Sequence, residues 1–206
     1  MFDVGGVLLD WHASSKATAH YLEVDHHELF NVLFDQTVED SIGAKMTTGV
    51  LGTQEGWSMV IHMLQRSSDI DGVIQKWHGE EHWFKDTLKL VTELHAMGYK
   101  LAILSNSWLG MDKLENQRLL PPEIRLFDMI FDSSSEGIAK PHVGIYQLTE
   151  DRIGARGKDI FFIDDDDTGK NIAVAEQRGW QTFLYSAGVS NDGIVSNERL
   201  RALLLQ

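Results

Sequence analysis

Three short apolar runs constrain the fold of this 206-residue chain more than any other feature of its sequence. They cover residues 101–104, 160–163 and 182–185, and each is followed by polar or small residues. Continuous apolar runs of this length are typical of strands that are buried on both faces of a parallel sheet. The sequence therefore predicts an α/β fold in which these runs are strands.

A helical pattern is clearest in residues 86–97, ahead of the first of these runs. It places Leu88, Val91 and Leu94 on one face, with Asp86 as the predicted N-cap and Gly98 directly after the last turn. The resulting alternation of helix and strand is the order that α/β folds require.

Residues 12–84 differ from the rest of the chain because they contain no convincing strand pattern. Trp57, Val60, Ile61 and Leu64 instead follow the i, i+3, i+4, i+7 spacing of an amphipathic helix. We interpret this region as a helical insertion between a short first strand and the remaining sheet. Such an insertion is well placed to cover the carboxyl ends of the strands, where open α/β sheets bind their ligands.

Composition excludes several classes of function. The chain has 18 Lys and Arg residues against 31 Asp and Glu residues, a net charge of −13, and no run of basic residues. Nucleic acid and anionic membrane surfaces are therefore not expected as partners. The absence of cysteine removes disulfides, thiol catalysis and thiolate metal sites. No apolar run reaches the ~18 to 20 residues of a membrane span, and no signal-peptide pattern occurs, so a cytoplasmic location is expected.

Four groups of polar residues fall at or just after predicted strand ends. They are Asp3-Val4-Gly5-Gly6, Ser105-Asn106, Lys140-Pro141, and the acidic run 164–167 with Asn171 beyond it. A parallel sheet gathers the ends of its strands at one edge, so these groups are expected to meet although they are far apart in sequence.

Taken together, these groups resemble the four motifs of the haloacid dehalogenase-like (HAD) hydrolase superfamily, which occur in this order. The resemblance implies a Rossmannoid three-layer core with a parallel sheet, formed by residues 1–11 and 85–206, and a helical cap formed by residues 12–84. The Phe-Asp-x-Gly-Gly-Val-Leu start and the position of the insertion are similar to the branch of sugar-phosphate phosphatases and the epoxide hydrolase N-terminal domain.

The resemblance also implies a role for each motif. Asp3 would be the nucleophile, because a carboxylate at a strand end followed by two glycines can attack phosphorus and form an aspartyl-phosphate. Ser105 and Lys140 would hold the phosphoryl group. The substrate-binding residues would be Gly5, Gly6, Ser105, Asn106, Lys140 and Trp108. Seven further residues belong to the cap or hinge, and one or two of them are expected to line the pocket while the others pack or face solvent: Trp11, His12, Trp57, Trp77, His78, His82 and Trp83.

A magnesium site is implied at the same strand ends, since carboxylate and carbonyl oxygens suit Mg²⁺. Its ligands would be Asp3, the carbonyl of Gly5, and Asp164 and Asp165. Counting back from Asn171 selects Asp166 and Asp167 instead. We favour Asp165, because a strand end fixes position more rigidly than a loop.

Two features depart from the family pattern. Many phosphatases of the superfamily carry a second Asp, the general acid, two residues after the nucleophile, and this chain has Gly5 there. Loss of a general acid typically costs ~10² to 10⁴-fold in rate, so easily displaced leaving groups are expected, such as those of anomeric sugar phosphates, acyl phosphates or aryl phosphates. Asp10, a cap residue or a water molecule could replace the acid, and the sequence gives no preference among these. Only Met1 and Phe2 precede Asp3, whereas strands usually have ~5 residues, which predicts either a very short first strand or a start further upstream.

The sequence thus predicts a Mg²⁺-dependent phosphomonoester hydrolase that acts through an aspartyl-phosphate on a small phosphorylated metabolite. Two alternatives stay open at this point. One is a metal-independent 2-haloacid dehalogenase, which uses the same nucleophile and needs no general acid at Gly5. The other is a catalytically weak member that binds a phosphorylated ligand or a partner. Oligomeric state is not predicted.

Overall fold

The protein is described by a computed structural model over residues 1–35, 40–79, 82–166, 168–188 and 193–205. The helices are α1 (Trp11–Tyr21), α2 (His26–Leu33), α3 (Ile42–Thr47), α4 (Thr53–Met63), α5 (Ile70–His78), α6 (Lys85–Ala96), α7 (Ser133–Glu136), α8 (Val143–Ile153), α9 (Lys170–Gln177) and α10 (Ile194–Leu204). The strands are β1 (Ala102–Ser105), β2 (Met129–Asp132), β3 (Phe161–Asp164) and β4 (Gln181–Leu184). No helix in these ranges is long and apolar enough to cross a membrane.

The sheet is parallel and is completed at its centre by the N-terminal residues. Strand β1 pairs with β2, and β3 pairs with β4, both in parallel register. Phe2 forms parallel bridges to Ile103 on one side and Ile163 on the other. The backbone N–H of Phe2 donates to Ala102 (2.9 Å), and that of Asp3 donates to Ile163 (2.8 Å). The strand order is therefore β2, β1, the Phe2 segment, β3, β4. Although it is short, the Phe2 segment pairs with both β1 and β3 and so joins the two halves of the sheet.

Side chains of the central strands alternate between two apolar layers. Ile103 and Ile163 belong to the larger core, which includes Leu88 and Val91 of α6 and Leu200 of α10. Their neighbours in sequence point to the opposite face and join a second core with α8 and α9, formed by Ala102, Leu104, Phe162, Ile145, Tyr146 and Ala175. Helices therefore cover both faces of the sheet, as continuous apolar strands require. This arrangement confirms the predicted α/β fold with a parallel sheet.

Helices α1 to α5 lie within the segment predicted as a cap. Helix α1 packs against α2 and α5, and α4 packs against α3 and α5. The described part of residues 12–84 contains strand pairing only at the single antiparallel bridge between Leu9 and Trp83. The division into core and cap at residues 11 and 84 remains a proposal.

Two local predictions need correction. Helix α6 begins at Lys85 with Phe84 as its N-cap, not with Asp86, because the Asp86 carboxylate instead pairs with Arg201 of α10 at 3.0 Å. Strand β2 was not predicted. It lies at the sheet edge, and its apolar run is only three residues long, from Met129 to Phe131 between Asp128 and Asp132, which is shorter than the runs that predicted the other strands.

A polar contact stabilises the second core. Glu150 of α8 is 3% exposed and accepts hydrogen bonds from the Arg178 guanidinium (Nε, 3.0 Å) and from the Trp180 indole (2.7 Å). Burial alone would raise the pKa of Glu150, but these hydrogen bonds outweigh it and hold the pKa below its ordinary value. The carboxylate is thus charged and fully paired in the folded state.

Candidate active site

The ends of three neighbouring strands bring the predicted catalytic residues together. Asp3 directly follows Phe2, Ser105 is the last residue of β1, and Asp164 is the last residue of β3. All three are buried, with exposed fractions of 8% or less. The backbone N–H of Val4 donates to Asp3 Oδ1 at 2.7 Å, which orients the carboxylate. Parallel pairing in register is what places these side chains at one edge.

Lys140 lies between two of the carboxylates. Its Nζ is 3.0 Å from Asp3 Oδ2 and 2.6 Å from Asp164 Oδ2, and the lysine side chain is 1% exposed. Burial alone would lower the pKa of Lys140, but the two carboxylates outweigh it and raise the pKa. A charged ammonium is therefore held against the predicted nucleophile.

Asp165 completes an acidic cluster. Asp3, Asp164 and Asp165 have carboxylate oxygens within 4.8 Å of one another. Burial, reinforced by the charges of Asp3 and Asp164, raises the pKa of Asp165 to about 7. Burial also raises the pKa of Asp3 to about 6, against the opposing effect of Lys140. Three carboxylates here face one ammonium, so the site carries an excess of negative charge that a cation would offset.

The rest of the acidic run supports this cluster. Asn171 Nδ2 is 3.2 Å from both oxygens of Asp164, and the backbone N–H of Asn171 donates to Asp166 Oδ2 at 2.8 Å. Asp166 therefore binds the start of α9, whereas Asp165 borders the cavity described below. Asp167 lies outside the described residues. Of the pairs left open by the sequence, this geometry favours Asp164 and Asp165.

Two predicted substrate-binding residues have other contacts. The side-chain amide of Asn106 donates to the carbonyl of Lys140 (2.9 Å) and accepts from its N–H (2.8 Å). The Gly6 N–H donates to the carbonyl of Leu9 (2.8 Å). Gly6 has φ +72°, and a β-carbon on it would lie 1.7 Å from Asp165 Oδ2. Asn106 thus positions Lys140, and the missing side chain of Gly6 leaves room for Asp165, while the predicted role of both residues in substrate binding stays a prediction.

A cavity of about 430 Å³ opens above Asp3. Its lower part is formed by Asp3, Gly5, Ser105, Asn106 and Asp165, and its walls include Trp11, Phe30, Phe34, Trp77, His78, Trp83 and Trp108. Trp77 and Trp108 stack with ring centroids 5.0 Å apart. The pocket therefore joins a charged floor to aromatic walls that come mainly from the helical segment.

Trp108 connects this segment to the loop after β1. Its indole N–H donates to Thr47 Oγ1 at 2.8 Å, and its carbonyl accepts a hydrogen bond from Thr53. Ser133 Oγ also donates to the carbonyl of Thr47, at 2.6 Å. The position of the helices over the strand ends is therefore set partly by bonds at the cavity wall.

His78, which the sequence names only among the cap and hinge residues, lines the cavity. It ends α5 and is 6% exposed, and its Nε2 has no hydrogen-bond partner among the described residues. Burial lowers its pKa to about 4, so the ring is neutral near pH 7. Four of the hinge and cap residues singled out above line the pocket, rather than one or two, and Phe30 and Phe34 do so as well. Helical spacing in the cap indicates that one face of a helix is buried, but not that this face lines a cavity.

Solved structures share this fold. A HAD family enzyme from Bacteroides thetaiotaomicron, in complex with magnesium and inorganic phosphate, is 21% identical with a TM-score of 0.65, and the match covers 91% of this chain and 93% of that one. The L-2-haloacid dehalogenase from Xanthobacter autotrophicus, with chloropropionic acid covalently bound, is 18% identical with a TM-score of 0.62 and coverages of 100% and 87%.

Curated relatives match about half of the chain. Bifunctional epoxide hydrolase 2 of Sus scrofa is 31% identical over 99 residues, 47% of this chain and 18% of that protein. Glyceraldehyde 3-phosphate phosphatase of Methanocaldococcus jannaschii is 26% identical over 110 residues, 53% of this chain and 46% of that protein. The chain thus spans less than half the length of these relatives.

One further match extends over most of the chain and identifies its family. The model for haloacid dehalogenase-like hydrolases covers residues 1–175, a range that includes all four motifs. With the parallel sheet and the convergent strand ends described above, this match identifies the chain as an enzyme of the haloacid dehalogenase-like hydrolase family.

Proposed function

We propose that the protein is a Mg²⁺-dependent phosphomonoester hydrolase that acts on a small phosphorylated metabolite through an aspartyl-phosphate. One observation carries the proposal: three carboxylates of the described residues lie within 4.8 Å of one another beside the buried ammonium of Lys140, and two of them, Asp3 and Asp165, line the floor of a cavity. When all three are ionised, these carboxylates and the one ammonium of Lys140 carry a net charge that one divalent cation would balance. The phosphatase relative and the magnesium and phosphate complex of a structural neighbour support this assignment.

The residues present fit Mg²⁺. Asp3 and Asp165 are the proposed ligands with a free approach from the cavity, together with the carbonyl of Gly5, and Asp164 stands behind them. Asp164 is 0% exposed and already accepts from Lys140 and Asn171, so it contributes mainly charge and positioning. When bound, the cation would offset the charge of the cluster and allow a phosphate dianion to approach.

The protein's own residues then carry the proposed reaction. A carboxylate oxygen of Asp3 attacks phosphorus, and the bond from phosphorus to the leaving oxygen breaks. Lys140 stays paired with Asp3 and opposes the charge that develops on the phosphoryl oxygens, while Ser105 lies within the same floor to donate a hydrogen bond. Water then attacks phosphorus in the aspartyl-phosphate, releases inorganic phosphate and restores the Asp3 carboxylate.

Phosphate release from phenyl phosphate, acetyl phosphate and a hexose 1-phosphate tests the proposal, with Mg²⁺ and with chelator. Asp3→Asn is expected to reduce turnover to the background rate. Asp151→Asn is the matched control, because the Asp151 side chain is 53% exposed, pairs with the exposed Arg156, and is not among the described residues that line the cavity. Turnover that persists in Asp3→Asn, or that is indifferent to chelator, would refute the assignment.

The second candidate is a 2-haloacid dehalogenase, which Gly5 and the apolar cavity walls favour. A haloacid carries a carboxylate, and no arginine or lysine is among the described residues that line the cavity. Without a bound cation the acidic cluster would repel that carboxylate. Chloride release from 2-chloropropionate in the presence of chelator, with no phosphate release from any ester, would establish this candidate instead. Silence in both assays, with binding of inorganic phosphate, would indicate a non-catalytic member.

A further inference from the structure

We propose, resting on the proposed phosphatase function, that the substrate is an aryl phosphate whose ring carries one hydrogen-bonding group, and that this group binds the imidazole of His78. The ring would lie between the aromatic walls, with the phosphoryl group at Asp3. The proposal makes His78 a specificity-determining residue of the leaving-group pocket.

The size and lining of the cavity indicate a leaving group that is planar and largely apolar. A volume of about 430 Å³ is roughly that of 14 water molecules at ~30 Å³ each, far more than a phosphoryl group needs. Phe34 and Trp108 lie 5.6 Å apart between ring centroids, and Trp108 stacks on Trp77. An aromatic ring entering this space gains contacts with ring faces and edges that an alkyl group of equal length does not.

The polar groups of the upper cavity limit the alternatives. Thr47 Oγ1 is bound to the Trp108 indole, Ser107 Oγ accepts from the N–H of Leu109, and the Trp83 indole donates to the His78 carbonyl. His78 Nε2 is the buried side-chain atom of this wall that has no partner among the described residues. A neutral imidazole offers one donor and one acceptor, so it satisfies a single hydroxyl or carbonyl group.

The single unpartnered buried side-chain atom among the described residues of this wall argues against a sugar as the leaving group. A sugar presents several hydroxyl groups, and each one that is buried without a hydrogen-bond partner weakens binding. An aryl group with one polar substituent would form one hydrogen bond with His78, so both the substituent and the imidazole would have a partner.

The residues at the base of the cavity independently indicate an aryl phosphate. Gly5 supplies no acid to protonate the departing oxygen. A phenol has a pKa of ~10 whereas water has one of ~15.7, so a phenoxide leaves unprotonated far more readily than an alkoxide. The bond between phosphorus and the phenolic oxygen breaks, the electron pair stays on that oxygen, and solvent supplies its proton after departure.

Binding of non-hydrolysable phosphonates tests the inference without relying on turnover. Titration calorimetry with Mg²⁺ would compare ethylphosphonate, benzylphosphonate, and 3- and 4-hydroxybenzylphosphonate on the wild type and His78→Phe. Benzylphosphonate is expected to bind about two- to tenfold tighter than ethylphosphonate. One hydroxyl isomer is expected to gain a further factor of about two to ten, which His78→Phe abolishes while retaining the gain from the ring.

The outcomes separate this inference from the proposed function. Equal binding of all phosphonates, or a hydroxyl gain that persists in His78→Phe, would overturn the inference even if Mg²⁺-dependent turnover is observed. The expected binding pattern without turnover of any aryl phosphate would support the pocket and refute the phosphatase. If His78→Phe fails to fold, His78→Gln provides the second variant, because its amide retains one donor and one acceptor and should keep part of the hydroxyl gain.

Discussion

Lys140→Met should destabilise the fold strongly, because it removes the only positive charge among the described contacts of the Asp3 and Asp164 carboxylates. The ammonium lies 3.0 Å and 2.6 Å from their oxygens, and the side chains of Lys140 and Asp164 are 1% and 0% exposed. Methionine preserves most of the volume of the lysine stem. The expected loss therefore reports electrostatics rather than a cavity.

The expected loss of stability in Lys140→Met follows from the burial of the paired charges. At an effective dielectric constant of about 20, a pair of unit charges ~3 Å apart attracts by roughly 5 kcal/mol, and part of this is offset by the desolvation of the ammonium. Breaking a buried pair by removing one partner typically costs ~3 to 5 kcal/mol, which we expect for Lys140→Met. Lys100→Met is the matched control. Its ammonium is 3.1 Å from Asp128 but 89% exposed, so the expected loss stays within ~1 kcal/mol.

The assay is urea denaturation at pH 8 with chelator, above the pKa values of about 6 and 7 for Asp3 and Asp165, so that the carboxylates are charged. Adding Asp164→Asn to Lys140→Met should restore part of the lost stability, because one buried negative charge is removed with its partner. Equal free energies of unfolding for Lys140→Met and Lys100→Met would refute the reasoning. So would a double variant that is less stable than Lys140→Met alone.

Two further predictions concern the acidic loop and the second core. Gly6→Ala should weaken Mg²⁺ binding by about 10- to 100-fold in calorimetry, because its β-carbon would lie 1.7 Å from Asp165 Oδ2. Gly52→Ala is the control, since its φ is −66° and a β-carbon there would have no contact within 4 Å, and equal affinities of the two variants would contradict the geometry. Glu150→Gln should lower the free energy of unfolding by ~1 to 3 kcal/mol at pH 7. The carboxylate of Glu150 accepts from the Arg178 guanidinium, whereas the amide of glutamine turns one N–H group toward it. The folded pKa of Glu150 lies below its ordinary value of 4.5, so its contribution is present above pH 4.5 and is lost as the pH falls through the folded pKa. Denaturation curves measured from pH 7 to pH 3 should therefore converge for wild type and variant at the acidic end, and a constant difference would contradict this origin.

Several site residues could be placed from the sequence because strand ends in a parallel sheet have only one edge at which to meet. Asp3, Ser105 and Asp164 each follow a short apolar run, and period-2 geometry leaves little freedom in where the next side chain lies. The proximity of Asp3 to Asp164 is thus a consequence of the β1, Phe2 and β3 pairing. Lys140 is less determined by local pattern, since its position depends on the two hydrogen bonds that Asn106 makes to its backbone.

The walls of the pocket could not be placed in this way. His78 and Trp77 occupy the last turn of α5, where helical periodicity indicates a buried face but not what it is buried against. Strand β2 was not predicted for a related reason: its apolar run is only three residues long, and its parallel pairing with β1 is a contact that local pattern does not show.

The amino-acid sequence by itself therefore determined the α/β class, the helical character of residues 12–84, the polar residue types at the strand ends and the glycine at position 5, all of which depend on local pattern and residue type. The tertiary structure alone decided that Asp165 faces the cavity while Asp166 binds the start of α9, and that the rings of α2, α5 and the loop at Trp108 converge above Asp3. Local pattern specifies which side of an element is apolar. Only the docking of one element on another specifies which side chains share a cavity, because that depends on contacts between residues distant in the chain.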